Sequence, residues 1–369
     1  MPPAARKLER HFYRLLLQDR LLWRGLPSQS PRLGRKQACV DALHAARGFD
    51  RPCTPEQLPS LDAEGLTRAS LLDATDGLRR SVVIRGFARD VPAVQRWTRA
   101  SLRARLEGHR CTVLRWDQDT DSREWDLGAK YQELAFSEFF DRMASERMYL
   151  NTSPELVTAC PDLTDDLDLP RLASLVSTPG ATWDEFYFLN FFIGARHVHS
   201  ELHAAPGGNF FLNLVGRKRW TMLDPRLSAW VHPASKPPFQ YFRSAYGGFR
   251  AQARRGLGPD DPLLRLPRME VTLEPGDLLY NGPWWWHEVE NLDDFTVGCA
   301  VRHIPPPLRA SPSWSNQPVL TGASMYPVVR AFSFFHWLRH RLTGYATPIR
   351  DLLHPLSPAA IQRYLTRAE

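Results

Sequence analysis

Between Gly194 and Trp220 the chain gathers residue types that hold metal ions and small anions, GARHVHSELHAAPGGNFFLNLVGRKRW. His197, His199, Glu201 and His203 come first, and Lys218 follows between two arginines. Imidazole and carboxylate are common ligands of divalent metals, so a site built from His197, His199 and His203 is one chemistry this segment allows. Asn209 to Val215 reads as a strand. Its period of two puts Asn209, Phe211, Asn213 and Val215 on one face, with Phe210, Leu212 and Leu214 on the other. Two amides on an otherwise apolar face are costly to bury unless something polar meets them. A ligand in the mouth of a barrel is one such partner.

A second stretch complements the first. MEVTL (269–273), the turn Glu274-Pro275-Gly276-Asp277, LLYNGP (278–283), WWWHEVENL (284–292) and DFTVGCAVRHI (294–304) read as strands with short turns, and His287 lies among them. Three adjacent tryptophans on a strand, Trp284 to Trp286, must point to alternate faces. Alternation with Ala300 turns Arg302 inward, as a candidate anion partner.

The two stretches resemble the metal-binding motifs of the JmjC (cupin-like) branch of the Fe(II)/2-oxoglutarate oxygenases. Their spacing is closest to that of the hypoxia-factor asparaginyl hydroxylase group. There an apolar strand ends in Gly, a His-x-Asp follows, an Asn comes after it, and a Gly-x-Lys hairpin closes the motif. Ile193-Gly194, His203, Asn209 and Gly216-Arg217-Lys218 fall on that spacing without a gap. The Pro-Gly-Asp turn, the strand after it and Trp-Trp-His match the second motif, and SVVIRGF through Trp97 is similar to the opening of such domains. The resemblance implies His203 and His287 as metal ligands and Lys218 as partner of the distal carboxylate of 2-oxoglutarate. Asn209 and Ser200 would lie beside metal and carboxylate, with Asn213 as the second in-facing amide and Arg302 as a further cofactor contact.

The chain departs from that pattern at Ala205, where the family carries the Asp ligand. Three readings follow. An open site could take a halide such as chloride on the iron, as in Fe(II)/2-oxoglutarate halogenases of other branches. Alternatively, Glu201 could substitute, with His199-Ser200-Glu201 as a His-x-Glu motif; choosing His199 lengthens the interval to Lys218 by four residues. Lastly, metal chemistry could be lost and the barrel serve as a binding module. The expected function is oxidation of an unactivated C–H bond coupled to decarboxylation of 2-oxoglutarate. Hydroxylation is the default and halogenation the outcome Ala205 points to; the alternative is a catalytically inactive cupin-like binding module. Protein, peptide, RNA base and small metabolite all stay open as substrates.

The elements that must position these residues are mainly β. We expect a double-stranded β-helix (cupin or jelly-roll barrel), flanked by helices. An N-terminal helical region would cover 1–79, the cupin domain 80–304, and a C-terminal helical region 305–369, whose helices suit a homodimer. Leu8, Phe12, Leu15, Leu16 and Leu22 recur at helical spacing. CTVLRW (111–116) and MYLNTS (148–153) read as strands, and Phe136 opens a helix with Ser137 as its cap. The long aromatic insert from Asp224 to Pro267 reads as a lid or substrate-facing loop.

Hydrophobic residues at 43% and charged residues at 24% of 369 suit a globular protein, and no run is apolar enough to span a bilayer. Five scattered cysteines with no CxxC suit reduced thiols and a cytoplasmic setting. The net charge of +7 is spread without a nucleic-acid motif. It fits a solvated arginine-rich surface, and part of it could favour anionic substrates.

Overall fold

A computed structural model of the chain describes residues 3–22, 30–47, 49, 51–116, 129–153, 156–157, 160–176, 186–196, 198–205, 207–234, 242–249 and 261–304. Among them the first strands are β1 (Glu56–Gln57), β2 (Ser60–Asp62), β3 (Val82–Arg85), β4 (Arg110–Trp116), β5 (Ala129–Ala135) and β6 (Met148–Ser153). The next are β7 (Phe186–Gly194), β8 (His199–Ala204), β9 (Gly208–Val215), β10 (Lys218–Leu223) and β11 (Phe242–Arg243). The last are β12 (Met269–Leu273), β13 (Leu278–Asn281), β14 (Trp286–Asn291) and β15 (Thr296–Ile304). The helices are α1 (Pro3–Leu22), α2 (Leu33–Arg47), α3 (Arg68–Ala74), α4 (Pro92–Arg96), α5 (Arg99–Arg105), α6 (Phe136–Arg142) and α7 (Leu169–Val176).

The strands form two sheets, ordered β1-β12-β10-β14-β8-β11 and β2-β3-β13-β9-β15-β7-β6-β4-β5. From β7 onward the chain crosses between them. β7, β9, β13 and β15 lie in one sheet, and β8, β10, β12 and β14 in the other, with antiparallel neighbours throughout. This winding is the expected double-stranded β-helix.

Apolar side chains sort into three layers. Phe211, Trp220, Met222, Val271, Leu279, Val289 and Ala300 fill the space between the sheets. Helices α3 to α7 cover the outside of the larger sheet, where Phe210, Leu212, Leu214, Val297 and Val301 meet them. Helices α1 and α2 cover the smaller sheet, with Phe12, Leu16, Val40 and Leu43 against Leu202, Ala204, Leu223 and Trp286. The alternation along β9 is therefore as read from sequence, except that Val215 packs with the outer cluster.

Several local expectations change. The cap of α6 is Ala135, without a side-chain hydrogen bond, so Ser137 does not serve. Trp97 follows α4 as its C-cap. Trp284 precedes β14 with φ 66°, yet Trp284 and Trp286 join the outer cluster and Trp285 the inner one. Strands β1 and β2, from the region expected to be helical, pair with β12 and β3, so the sheets begin before residue 80. The insert from Asp224 carries β11, which extends the smaller sheet along β8. Residues 305–369, where C-terminal helices and a dimer contact were expected, lie outside the described residues, as does His197. Among the described residues no helix is long and apolar enough to cross a membrane.

Candidate active site

Strand register builds the site. Directly opposed residues in a sheet share a face. Across the smaller sheet, Arg243 opposes His203, His203 opposes His287, and His287 opposes Met222. Across the larger sheet, Arg302 opposes Asn209, and Asn209 opposes Asn281. The rows belong to the inner faces, since Met222 and the neighbours Phe211 and Ala300 are interior residues. The Asn281 amide lies 3.1 Å from Nδ1 of His287, so the two rows meet at this ring.

The two imidazoles have centroids 4.1 Å apart, tilted by 50°. His203 donates from Nδ1 to the carbonyl of Glu201 at 2.7 Å, and His287 from Nδ1 to that of Trp285 at 2.9 Å. The tautomer selected by such a bond carries its lone pair on Nε2, the arrangement by which metal-ligating histidines are commonly oriented. Trp220 stacks on His287 at 5.3 Å. Burial pushes His203 down to about 4, opposed by the hydrogen bond to the Glu201 backbone, while the positive charges of Arg302 and Arg243 act in the same direction as burial. Burial, then the neighbouring His203, hold His287 well below the usual range, and Arg302 acts on it too. Both rings are neutral at pH 7, as metal ligands must be.

A bulge decides the fate of the neighbouring candidates. Between the pairs His203–His287 and Ser200–Val289, three residues of β8 span two of β14, so Glu201 and Leu202 together oppose Glu288. The slip reverses alternation beyond it. His199 is consequently opposite Glu290, on the face turned away from the imidazole pair, and does not replace His203. Glu201 sits within the bulge. Among the described residues no group of three or more His, Cys, Asp and Glu side chains gathers for a metal, so Glu201 does not join the pair. Its expected place on the face of His203 assumed an unbroken strand. Ser200 lies on the inner face with Val289, and its hydroxyl accepts the Val289 N–H at 3.1 Å, satisfying the ladder at the bulge. Ala205 is half-buried just past β8, and its carbonyl accepts the Trp284 N–H at 2.8 Å.

Lys218 occupies the other end of the barrel. Four residues of β14 separate its partner Asn291 from His287, roughly 13 Å at ~3.3 Å per residue. Its ammonium is fully buried and donates to Asn291 Oδ1 at 2.5 Å and Thr296 Oγ1 at 2.9 Å. Both acceptors are neutral. Burial pulls Lys218 down to about 7, which is the condition of a cation buried where an anionic ligand would compensate it. Asn213 braces the hairpin: its amide nitrogen donates to the carbonyls of Gly216 at 2.7 Å and Leu273 at 3.2 Å. Asn209 is 2% exposed, with Oδ1 unpartnered.

A family model described as Cupin-like domain matches residues 77–301. The chain belongs to the cupin-like JmjC family. It is 26% identical over 234 residues to an HSPB1-associated protein 1 homolog of Danio rerio, covering 60% of this chain and 51% of that protein. With Jumonji C domain-containing protein 5 of Drosophila melanogaster the identity is 23%, over 54% of this chain and 49% of that one. With lysine-specific demethylase JMJ30 of Arabidopsis thaliana it is 24%, over 64% and 52%. The chain thus spans about half the length of these relatives.

In this cupin domain the imidazole pair would supply two ligands to a divalent metal, and Lys218 a cation for a dicarboxylate. The donor set suits an iron that completes its coordination from co-substrate, water or a small anion. Sequence reasoning missed Arg243. It lies in an insert without periodicity, and only its pairing with His203 brings it to the site.

Proposed function

We propose that this cupin domain catalyses Fe(II)- and 2-oxoglutarate-dependent oxidation of a C–H bond at a two-histidine centre. The observation that carries the reading is the cross-strand imidazole pair with both Nδ1 atoms engaged on backbone carbonyls. Iron with 2-oxoglutarate supplies the oxidising power when bound. His203 and His287 hold the metal, and Lys218 neutralises the distal carboxylate. Phe211, Trp220 and Val289 form an apolar layer between the two ends, which excludes water and strengthens electrostatic contacts there. Because position 205 offers a methyl group in place of a carboxylate, one coordination position stays available to water or a halide. Hydroxylation and chloride-dependent halogenation are the two outcomes this chemistry permits.

Anaerobic titration with Fe(II) and 2-oxoglutarate tests the proposal. A metal-to-ligand charge-transfer band is expected for the wild type, and its loss in His203→Ala and His287→Ala. Absence of the band in the wild type, with 2-oxoglutarate still bound, would favour the second reading, a cupin-like binding module. The lack of a third His, Cys, Asp or Glu ligand among the described residues favours that second reading.

A further inference from the structure

Arg243 and Arg302 are not needed to hold a metal at the imidazole pair, and like charge opposes a dication there. They come from different sheets. Arg243 opposes His203 from one side, and Arg302 stands in the facing row, opposite Asn209. Both positive charges act on His203, and Arg302 acts on His287 as well. Each is half-buried, with Nη1 of Arg243 turned away from solvent, whereas Lys218 is fully buried at the other end.

Arg243 is held in place by its surroundings. Its carbonyl accepts from Ala234 N at 2.7 Å, and the next residue, Ser244, donates to Leu202 O at 2.9 Å. Leu202 N in turn donates to Gly247 O at 3.0 Å, and Phe249 N to the carboxylate of Glu288 at 2.6 Å. A short strand so fixed does not have to reorganise to meet a ligand. Polar groups on the inner face also await partners. Oδ1 of Asn209 has none, and neither does either amide atom of Asn190, which is fully buried and opposes Ala300 one layer below Arg302. Leaving such groups unpaired is costly, and a ligand with an anionic group and neighbouring N–H or O–H donors would satisfy them.

We propose that Arg243 and Arg302 form an oxyanion-binding subsite at the imidazole pair, and that the substrate presents a carboxylate or phosphate group to it. Guanidinium groups bind such oxyanions through paired, charge-assisted hydrogen bonds. The proposal rests on the oxidation described above only in calling that ligand a substrate; the subsite itself needs no metal.

The test uses the metal-free 369-residue chain, titrated calorimetrically with inorganic phosphate in low-chloride buffer. Arg243→Gln and Arg302→Gln should each weaken phosphate binding tenfold or more. Arg→Lys at either position should restore part of it, which separates lost charge from lost folding. Repeating the titration with saturating 2-oxoglutarate identifies the source of the oxyanion. Unchanged phosphate affinity is expected for a substrate-borne group. Competition between the two would assign the arginines to the co-substrate and overturn the proposal, as would no binding by the wild type or undiminished binding by both Gln variants. The charge-transfer titration requires iron and no occupant between the arginines, so each result stands separately.

Discussion

His203 and His287 are cross-strand partners, and each fixes its ring on the carbonyl two residues before it, Glu201 for one and Trp285 for the other. The backbone thus orients both rings. Antiparallel pairing supplies the proximity, and the local i to i−2 bond supplies the tautomer.

Keeping the rings neutral links stability to pH. The pKa of His203 falls from 6.5 to about 4 on folding, and that of His287 is also lowered well below 6.5. Between those values the unfolded chain binds protons that the native state does not, so stability is complete above about pH 6.5 and is lost as pH falls towards 4. At pH 5 the loss from His203 should be on the order of 2 kcal/mol, and His287 adds to it in the same direction. Urea midpoints of the metal-free protein at pH 7.5 and 5 should show it. The His203→Gln/His287→Gln variant should flatten the profile; an equally steep profile in that variant would place the proton linkage elsewhere.

Lys218 gives a pH effect on ligand binding. With its pKa near 7 in the empty barrel, much of it is neutral at and above that pH, while a bound dicarboxylate favours the ammonium. Binding of 2-oxoglutarate to metal-free protein should therefore take up a proton, and affinity should fall as pH rises above 7. Calorimetry in buffers of different ionisation enthalpy reads the uptake. Lys218→Met should abolish it and weaken binding at least tenfold; persistent uptake would move the carboxylate partner to another residue.

The end of the barrel around Lys218 depends on close approach at Gly194. A Cβ there would stand 2.5 Å from Nδ2 of Asn291 and 2.8 Å from Cδ2 of Tyr149. Neither neighbour can yield easily, since Asn291 also accepts from Lys218 and Tyr149 is 3% exposed with its ring tilted against Phe192. Gly194→Ala should cost about 1–3 kcal/mol and weaken 2-oxoglutarate binding by shifting Asn291. A variant as stable as the wild type would show that this contact relaxes without effect.

The sequence carried these pieces unevenly, for physical reasons. The motif resemblance singled out His203, His287 and Lys218, and the structure sets the two histidines opposite each other on β8 and β14 with Lys218 on β10. Period two along β9 separated Asn209 and Phe211 from Phe210 and Leu212. A bulge leaves no such mark. Glu201 and His199 look equivalent to His203 until one extra residue in β8 resets the faces. Arg243 was hidden because a two-residue strand inside an insert has no period to read, and its role depends entirely on a non-local pairing.

Ala205 tests the chemistry most directly. It lies two residues beyond His203, and its carbonyl is fixed by Trp284 N–H at 2.8 Å, so a larger side chain there starts from a defined backbone. Ala205→Asp would add a carboxylate at the family's ligand position and oppose the positive charges of Arg302 and Arg243. Fe(II) affinity, followed anaerobically, should rise tenfold or more, because a charged ligand joins two neutral ones. Phosphate binding at the arginines should weaken, since the new carboxylate competes for the same guanidinium groups. A hydroxylase would keep or gain turnover in this variant. A halogenase would lose halide incorporation, because the carboxylate fills the position the halide needs. Unchanged metal and phosphate affinities together would mean that the side chain at 205 does not reach the imidazole pair, and the open coordination position would have to be sought elsewhere on the barrel rim.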